Sequence, residues 1–588
     1  MLAFGAVVDL SLDPLAADSI ERLTRPVAAL PGRLGQHVAG EFAAVHVADE
    51  RTRSFDADLP LRADGLVVAG ALRIDAQRDL RTKLSAGGSG SETSASDAEL
   101  VALAARRWSD RFAEHLLGDY AIVVWDRARG QLMAARDPLG NRQLYWARVG
   151  SRVALGSSVD IVRALPGLSS ELDDEAIASV LGHGWVERAD ATVLRDVHRV
   201  PAGHTLVLAR DAPARLRRHW EFPVPAPLRF AREEDYLGRF AEVLGEVVGD
   251  RLRSSSATIF LSGGMDSSTL AATARQSVPA VTLRAITSVQ PTLAPSDDDH
   301  LSAAIARRLG IEQTVLDEDT RPALAYLEAP GALPAQPLDE PDLADLRVGA
   351  AVAARQAPVA LFGEDGDMLL RPPSLFRQLR TQPLHEVVGS WLRFRTAAGR
   401  WPWVGLEWRR RLSRLWRGAP TPGTPWLRRP RPPARPRAEH PLRPLTARAL
   451  SSPQWDALYE AFEPATTRAS VLFTLPLTDP RLLAFVFSIP PVPWCQDKQL
   501  FRRAMRDTLP PEVLARRKTP LEGYLEARVA QWRAAGGADT VISDRVAAWV
   551  NIPAVREVLR TGSAYEALDA WRVVQVDAWL SREDARRA

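Results

Sequence analysis

The chain has 588 residues, of which 46% are hydrophobic, and this length suffices for two domains with substantial cores. Basic and acidic residues nearly balance, with a formal net charge of +3, so wholesale binding of nucleic acid is not indicated. Cys495 is the only cysteine, which excludes an internal disulfide framework and favours a reducing, cytoplasmic location. No apolar run approaches the roughly 18 to 20 residues that span a bilayer, so the sequence predicts a soluble chain without a membrane span.

The first third of the chain has the pattern of a layered sheet domain. Residues 1–205 alternate short apolar runs with turns, for example at 65–70 and 121–126. One helix is expected within this region, because Ser96 and Glu99 have the spacing of a capping box before an apolar periodic run.

A proline-rich linker, placed at 206–230, separates this region from the rest of the chain, residues 231–588. Residues 233–253 form an amphipathic pattern that predicts a helix. Strand-like and helix-like segments then alternate at 258–261, 267–275, 281–286 and 300–309. This rhythm predicts a parallel sheet, whose ligands bind at the carboxyl ends of the strands.

A glycine- and serine-rich run follows the first of these strands and opens a predicted helix. Its small residues allow backbone N–H groups to face a phosphate, and the helix N-terminus adds its positive dipole end. The carboxylate of Asp266 is explained if it holds Mg²⁺, which takes oxygen ligands. A simple Gly-Ser turn is the alternative. The candidate nucleotide-binding residues are Leu261, Ser262, Gly263, Gly264, Asp266, Ser267 and Ser268.

A second acidic loop follows the apolar strand at 359–362. It begins with Gly363 and Glu364 and continues through Asp365 and Gly366 to Asp367. Two carboxylates at the ends of two strands suit a Mg²⁺ that bridges ATP phosphates. An acidic solvated turn is the alternative.

Together these loops resemble those of the asparagine synthetase superfamily, whose SGGxDSS loop grips pyrophosphate while a carboxylate attacks the α-phosphate. The resulting acyl-adenylate reacts with an amine to give an amide and AMP. The resemblance implies ATP and Mg²⁺, with Asp266 and Asp367 as metal ligands. It also places Glu364 near the reacting carboxyl and Gly363 among the nucleotide-binding residues, and it places the adenine beside the backbone near Ile286.

Two further segments continue the resemblance, and they contain two of the three lysines of the chain. Lys518, in the run Arg-Arg-Lys-Thr-Pro, aligns with a family lysine beside the α-phosphate and the developing oxyanion, where an ammonium would stabilise growing negative charge. Lys498, in Lys-Gln-Leu-Phe-Arg, is assigned to the phosphates, with a structural surface lysine as the alternative. Met368 departs from the family pattern, which has an acid there.

The first region resembles the glutaminase domain of asparagine synthetases through the runs 117–121, 135–140 and 197–204. The resemblance implies an α/β fold, with an N-terminal-nucleophile αββα sandwich before a parallel-sheet ATP-pyrophosphatase domain. The family's nucleophilic cysteine is replaced by Leu2, and its Asn-Gly-Glu segment by residues 69–71. Asp97 aligns with a glutamine-contacting aspartate. We therefore expect a scaffold without glutaminase activity.

Residues 391–448 form an unusual insert with fifteen arginines, six tryptophans and two acids. Arginine and tryptophan are preferred anchors of recognition surfaces, so binding of a peptide or partner is the favoured interpretation. Packed tryptophans in a helical insert, a disordered Pro-Arg loop and an RNA-binding patch are the alternatives.

The lost cysteine and the large insert most resemble lasso peptide cyclases within the superfamily. Such an enzyme would adenylate an Asp or Glu side chain of a processed core peptide, and the N-terminal amine of the peptide would close a macrolactam. A leader-peptide protease and a leader-binding protein are the expected partners. The alternatives are an amidotransferase using free ammonia, a β-lactam synthetase-like cyclase, a tRNA-modifying pyrophosphatase and an inactive scaffold.

Overall fold

The computed structural model describes residues 2–52, 59–63, 65–85, 95–293, 295–319, 336–337, 343–405, 424–428, 440–516 and 523–587. Within these residues the chain forms two antiparallel sheets, both in the first domain, and one parallel sheet in the second.

Twelve strands build the antiparallel sheets. They are β1 (Ala3–Asp9), β2 (Arg33–Ala39), β3 (Phe42–Ala48), β4 (Leu61–Ala63), β5 (Leu66–Ile74), β6 (Gly118–Asp126), β7 (Gln131–Arg136), β8 (Tyr145–Val149), β9 (Arg152–Gly156), β10 (His198–Arg199), β11 (His204–Ala209) and β12 (Arg215–Arg218). The strand orders are β10-β8-β9-β1-β3-β2 and β12-β11-β7-β6-β5-β4. Phe4 and Phe42 of the first sheet share a core with Trp125 of the second, so the two sheets stack face to face.

Helices cover the outer faces of this pair of sheets. They are α1 (Ala17–Ala28), α2 (Gln77–Ser85), α3 (Asp97–Trp108), α4 (Val159–Val162) and α5 (Asp174–His183). The predicted capping box opens α3, since Ser96 Oγ accepts from the Glu99 N–H at 3.3 Å and Glu99 Oε2 accepts from the Ser96 N–H at 2.6 Å. The first domain is therefore the expected αββα sandwich.

The second domain begins with α6 (Glu233–Arg251) and continues with alternating strands and helices. They are β13 (Ser256–Phe260), α7 (Met265–Ser277), β14 (Thr282–Val289), α8 (Asp298–Leu309), β15 (Glu312–Asp317), α9 (Leu343–Gln356), β16 (Val359–Leu361) and β17 (Leu472–Thr474). The five strands are parallel in the order β15-β14-β13-β16-β17. The predicted parallel sheet is confirmed, and β13 and β16, the strands that precede the two candidate loops, are direct neighbours.

The remaining helices surround this sheet or extend beyond it. They are α10 (Gly366–Leu369), α11 (Leu375–Thr381), α12 (Leu384–Ala398), α13 (Pro444–Leu450), α14 (Pro453–Phe462), α15 (Pro464–Thr467), α16 (Pro480–Ser488), α17 (Pro491–Trp494), α18 (Gln499–Ala504), α19 (Pro511–Ala515), α20 (Tyr524–Ala534), α21 (Ile552–Thr561) and α22 (Ala564–Arg587).

The C-terminal helices pack against the first domain rather than against the parallel sheet. Trp532 of α20 and Trp579 of α22 share a core with Leu23 of α1 and Ile177 of α5. Trp426, from the arginine-rich insert, is fully buried in the same core. At this position the insert contributes a packed tryptophan, as one of the alternative interpretations anticipated.

A row of buried ion pairs joins the two domains. Arginines of the first domain meet acids on α14 and at Glu463, the residue that follows it. The pairs are Arg136 with Asp456 at 2.8 Å, Arg199 with Glu460 at 3.2 Å and Arg142 with Glu463 at 3.3 Å. Asp456 and Glu460 are four residues apart and so share one face of α14, and Glu463, in the extended backbone after the helix, receives the third arginine.

Arg251, at the end of α6, forms a second buried cluster between the domains. Its guanidinium lies 2.8 Å from Asp479 of its own domain and 3.4 Å from Asp75 of the first domain. Asp119 completes the group, and although burial raises the pKa of this carboxyl, Arg73 and Arg251 lower it below its usual value. The cluster thus holds ionised acids from both domains around buried cations.

We expect Arg251→Ala to lower the stability of the chain by about 3–5 kcal/mol, because it leaves buried carboxylates with one cation fewer. A lower melting temperature in differential scanning fluorimetry would check this. The matched control is Arg239→Ala, which removes an exposed pair with Glu242 and should barely change the melting temperature. Equal melting temperatures for both variants would contradict the proposed importance of the cluster.

Candidate active site

The first candidate loop leaves β13 and enters α7 within four residues. The N–H of Leu261 donates to the carbonyl of Ile286 at 2.8 Å, and Thr287 Oγ1 donates to the Leu261 carbonyl at 2.7 Å. Gly263 has a φ of +67°, and a Cβ there would lie 2.9 Å from Leu301 Cβ. Glycine is therefore required at this turn both by the backbone conformation and by the contact with α8.

The serines of the loop have two different roles in the structure. Ser262 is exposed, and its N–H donates to Ser267 Oγ at 3.2 Å, so the first and last parts of the loop are held together. Ser268 is buried and its hydroxyl donates to the Gly264 carbonyl at 2.6 Å. Ser262 is thus placed to meet a ligand, whereas Ser268 stabilises the start of α7.

The second loop packs directly on the first. A Cβ at Gly363 would lie 2.8 Å from the backbone nitrogen of Ser267, and a Cβ at Gly366 would lie 2.2 Å from the carboxyl carbon of Asp266. Both distances are far below normal van der Waals contact. The two loops that the sequence predicts to act together therefore meet, and glycine is what permits their close approach.

Lys498 joins the two loops through their carboxylates. Its Nζ lies 2.6 Å from Asp266 Oδ2 and 2.8 Å from Asp367 Oδ1. One cation is thus shared by the two acids that the resemblance assigns to Mg²⁺. Carboxylate oxygens are the ligands that Mg²⁺ prefers. Among the described residues, however, no group of three or more acidic, histidine or cysteine side chains is placed to hold a metal, so the Mg²⁺ assignment stays a prediction.

Asp365 is an acid of this site to which the sequence analysis gave no role. It is 5% exposed, and neither carboxyl oxygen has a hydrogen-bond partner among the described residues. Burial raises the pKa of Asp365, and the neighbouring Glu364 and Asp266 raise it further. The sequence signal that could have found it is the position itself, because the family loop has glycine where this chain has Asp365. The φ of +75° at Asp365 is a conformation that favours glycine.

Arg516 is a second residue at the loops to which the sequence analysis gave no role. Its Nη1 donates to the Ser262 carbonyl at 3.4 Å and pairs with Asp298 at the start of α8. Arg516 therefore ties the segment that precedes Lys518 to the first loop. Lys518 itself lies outside the described residues, so its assignment beside the α-phosphate stays a prediction.

The side chain of Ile286 is 1% exposed and packs in the core beside Phe473. Its carbonyl accepts from Leu261 at the strand end. The adenine assignment near Ile286 also stays a prediction.

In the first domain, the aspartate that aligns with the family's glutamine ligand is engaged by the second domain. Asp97 accepts the Ile74 N–H at 2.8 Å, and both its oxygens lie 3.1 Å from Arg253 Nη1. The other guanidinium nitrogen of Arg253 donates to the Ile74 carbonyl. Leu2 is 1% exposed within the neighbouring core. Arg253 thus pairs with the carboxylate of Asp97, the residue that the resemblance assigns to contact with glutamine.

Family comparisons agree with this organisation. The asparagine synthase family matches residues 239–581, and a glutamine amidotransferase domain matches residues 61–220. Because the first match covers more than half of the chain, the chain belongs to the asparagine synthase family.

Individual relatives are distant. Asparagine synthetase [glutamine-hydrolyzing] 3 of Bacillus subtilis is 28% identical over 197 residues, covering 33% of this chain and 31% of the relative. Amidase chyE of Penicillium rubens is 31% identical over 179 residues, covering 30% and 26%. A putative asparagine synthetase of Mycobacterium bovis is 25% identical over 293 residues, covering 48% and 44%. The matched region therefore spans less than half of each of these relatives.

Among solved structures, glutamine phosphoribosylpyrophosphate amidotransferase from B. subtilis, complexed with ADP and GMP, aligns with a TM-score of 0.26 and 13% identity. The alignment covers 53% of this chain and 65% of that one. Among the helices of the described residues, none combines the length and the hydropathy needed to cross a bilayer.

Gly366→Ala should weaken Mg²⁺-dependent ATP binding at least tenfold, because the added methyl group would displace the Asp266 carboxylate. Isothermal titration calorimetry with ATP and MgCl₂ checks this. Gly238→Ala is the matched control, since a Cβ at Gly238 meets nothing within 4 Å. Unchanged ATP affinity in Gly366→Ala would contradict the close contact of the two loops.

The purified chain should release no glutamate from glutamine, because the printed sequence has no cysteine before Cys495 and Arg253 occupies Asp97. The Leu2→Cys variant should also release glutamate only at the background rate, because Arg253 still pairs with Asp97. A coupled glutamate assay checks both proteins against a reaction without enzyme. Steady glutamate release by the native chain would overturn this account of the first domain.

Proposed function

We propose that the chain is an ATP-dependent, AMP-forming amide ligase that closes a macrolactam within a peptide. The electrophile is an Asp or Glu side chain of the peptide, and the nucleophile is its own N-terminal amine. The proposed partners, a leader-peptide protease and a leader-binding protein, would deliver the processed peptide with that amine free.

The observation that carries this proposal is the contact of Arg253 with Asp97, taken together with the meeting of the two candidate nucleotide loops. In the second domain, Asp266 and Asp367 each lie within 2.8 Å of Lys498 Nζ. The first domain keeps its sheets but lacks a cysteine nucleophile, and its aligned aspartate is occupied. An amine made by hydrolysis of glutamine is therefore not the nucleophile that this arrangement favours, and an amine carried by the substrate is.

The residues of the first loop would bind the leaving pyrophosphate. Ser262 offers an exposed hydroxyl, and the N-terminus of the thirteen-residue helix α7 directs its positive dipole end toward bound phosphates. Asp266 and Asp367 would hold Mg²⁺, which when bound neutralises charge on the phosphates. Lys498 adds a positive charge at the same place.

The proposed reaction has two chemical steps. A peptide carboxylate oxygen bonds to the α-phosphorus of ATP while the bond to pyrophosphate breaks, which gives an acyl-adenylate. The N-terminal amine then bonds to the acyl carbon, AMP departs with the electrons of the broken C–O bond, and the amine releases a proton. The products are the lactam, AMP and pyrophosphate, and the preorganised charges of the site stabilise the phosphate groups throughout.

To test the function, the chain is incubated with a linear peptide, ATP and MgCl₂. AMP and pyrophosphate should form, and mass spectrometry should find a product that is one water lighter and resists aminopeptidase. Asp266→Ala and Asp367→Ala should each reduce AMP formation by about 10²-fold or more, because each removes a carboxylate that positions the charge opposing the phosphates. Glu242→Ala, at an exposed pair far from the loops, is the matched control.

Other products would reject the proposal in defined ways. Formation of ADP would exclude adenylation. Ammonia incorporated into a side-chain carboxyl, with the peptide N-terminus still free, would identify an ammonia-dependent amidotransferase instead.

A further inference from the structure

Helix α12 is apolar on two faces, and only one of them is covered. Val387, Trp391 and Phe394 are buried and form a small core with Val492 of α17. On another side of the helix, Leu384 is 65% exposed, and exposed apolar side chains recur at every fourth position after it. A surface helix normally has a single apolar stripe that faces the core, so packing among the described residues does not explain the second stripe of α12.

Exposed apolar side chains are concentrated around this helix. Among the described residues, 17 large hydrophobic side chains are exposed, and eight of them fall between positions 376 and 404. These eight are Phe376, Leu379, Leu384, Val388, Leu392, Trp401, Trp403 and Val404. Single exposed hydrophobics are ordinary, whereas a group of this size on adjoining elements is typical of an interaction surface. We call these eight residues and the arginines between them the α11–α12 face.

The α11–α12 face is strongly basic. Residues 371–405 contain six arginines and one acid, Glu386. Glu386 is paired with Arg229 of the preceding segment at 2.7 Å. Arg380 lies 5.7 Å from the ring centre of Phe376, and Arg395 lies 5.6 Å from that of Trp401. Two arginines of this face are therefore in contact with its exposed aromatic rings. The complementary ligand is acidic as well as apolar.

Structural contacts connect this face to the candidate active site. Five residues separate helix α11 from the end of α10, the short helix that includes the last residues of the second loop. The N–H of Trp403 donates to Gln496 Oε1 at 3.1 Å, and Arg400 pairs with Asp497. Lys498, the next residue, holds the two site carboxylates. The face is therefore fixed at both ends to segments that carry site residues.

We propose that the α11–α12 face binds an acidic, apolar segment of the peptide substrate and holds it beside the nucleotide loops. This rests on the proposed function for the identity of the peptide. Apolar side chains of the segment would cover Leu384, Val388 and Leu392, while its carboxylates would meet the surrounding arginines. A segment with basic side chains would be repelled by the same arginines.

Fluorescence anisotropy with two labelled synthetic peptides tests the proposal. Both peptides carry leucine at every fourth position, and they differ in having glutamate or lysine at the remaining charged positions. The acidic peptide should bind, more weakly as salt is added, and the lysine peptide should not. Val388→Glu, Leu392→Glu and Arg393→Glu should each weaken binding at least tenfold. Val541→Glu is the matched control, because Val541 is 81% exposed and distant in sequence.

These measurements need no ATP, so they separate the docking proposal from the ligase proposal. Selective binding of the acidic peptide, together with no AMP formation in the separate ligase assay, would support the docking face and reject the proposed reaction. Equal binding of both peptides, or no loss in the three variants, would overturn the docking face.

Two other occupants have their own signatures. Co-sedimentation with phosphatidylglycerol vesicles, without peptide binding, would identify a membrane surface instead. A concentration-dependent dimer that Val388→Glu abolishes, without peptide binding, would identify a second copy of the chain.

Discussion

Buried ion pairs between the domains are the constraint on which the rest of this structure depends. Arg136 and Arg199 reach acids on α14, Arg142 reaches Glu463 just after that helix, and Arg251 lies among carboxylates of both domains. A buried pair adds little net stability when intact, but a shifted packing of the domains that kept the interface closed would leave several charges unpaired in apolar surroundings. The interface therefore fixes the two domains in one arrangement, and the arginines of the glutaminase-like motifs serve that purpose here.

This fixed arrangement explains how the two halves of the chain differ in chemistry. In the second domain, neighbouring parallel strands bring Asp266 and Asp367 to one sheet edge, where Lys498 binds both. In the first domain, the same interface brings Arg253 onto Asp97. The first contact brings two carboxylates and one ammonium together, and the second pairs the Asp97 carboxylate with an arginine of the same chain. The two domains thus differ in that one gathers the charged side chains of its loops, whereas in the other the aligned aspartate is already paired.

The sequence by itself determined the features that depend on local pattern. Period-two and helical spacing give the sheets and helices, and the glycines at 263, 363 and 366 mark loops where the backbone turns or approaches a neighbour. The order of strands and loops in the sequence alone predicts that both carboxylates lie at the same sheet edge. Ser96 and Glu99 likewise fixed the start of α3, since a capping box needs only residues within one turn.

Only the tertiary structure decided the features that join distant positions. Arg253 and Asp97 are 156 residues apart, and neither residue type predicts the other. Asp365 reads as one more acid of a polar loop, yet packing buries it without a partner among the described residues. Helix α12 has apolar residues on two faces, but burial requires a neighbour, and the folded chain supplies one for Val387 and Trp391 and leaves Leu384 exposed. Local sequence fixes what an element can bury, and the arrangement of all the elements fixes what it does bury.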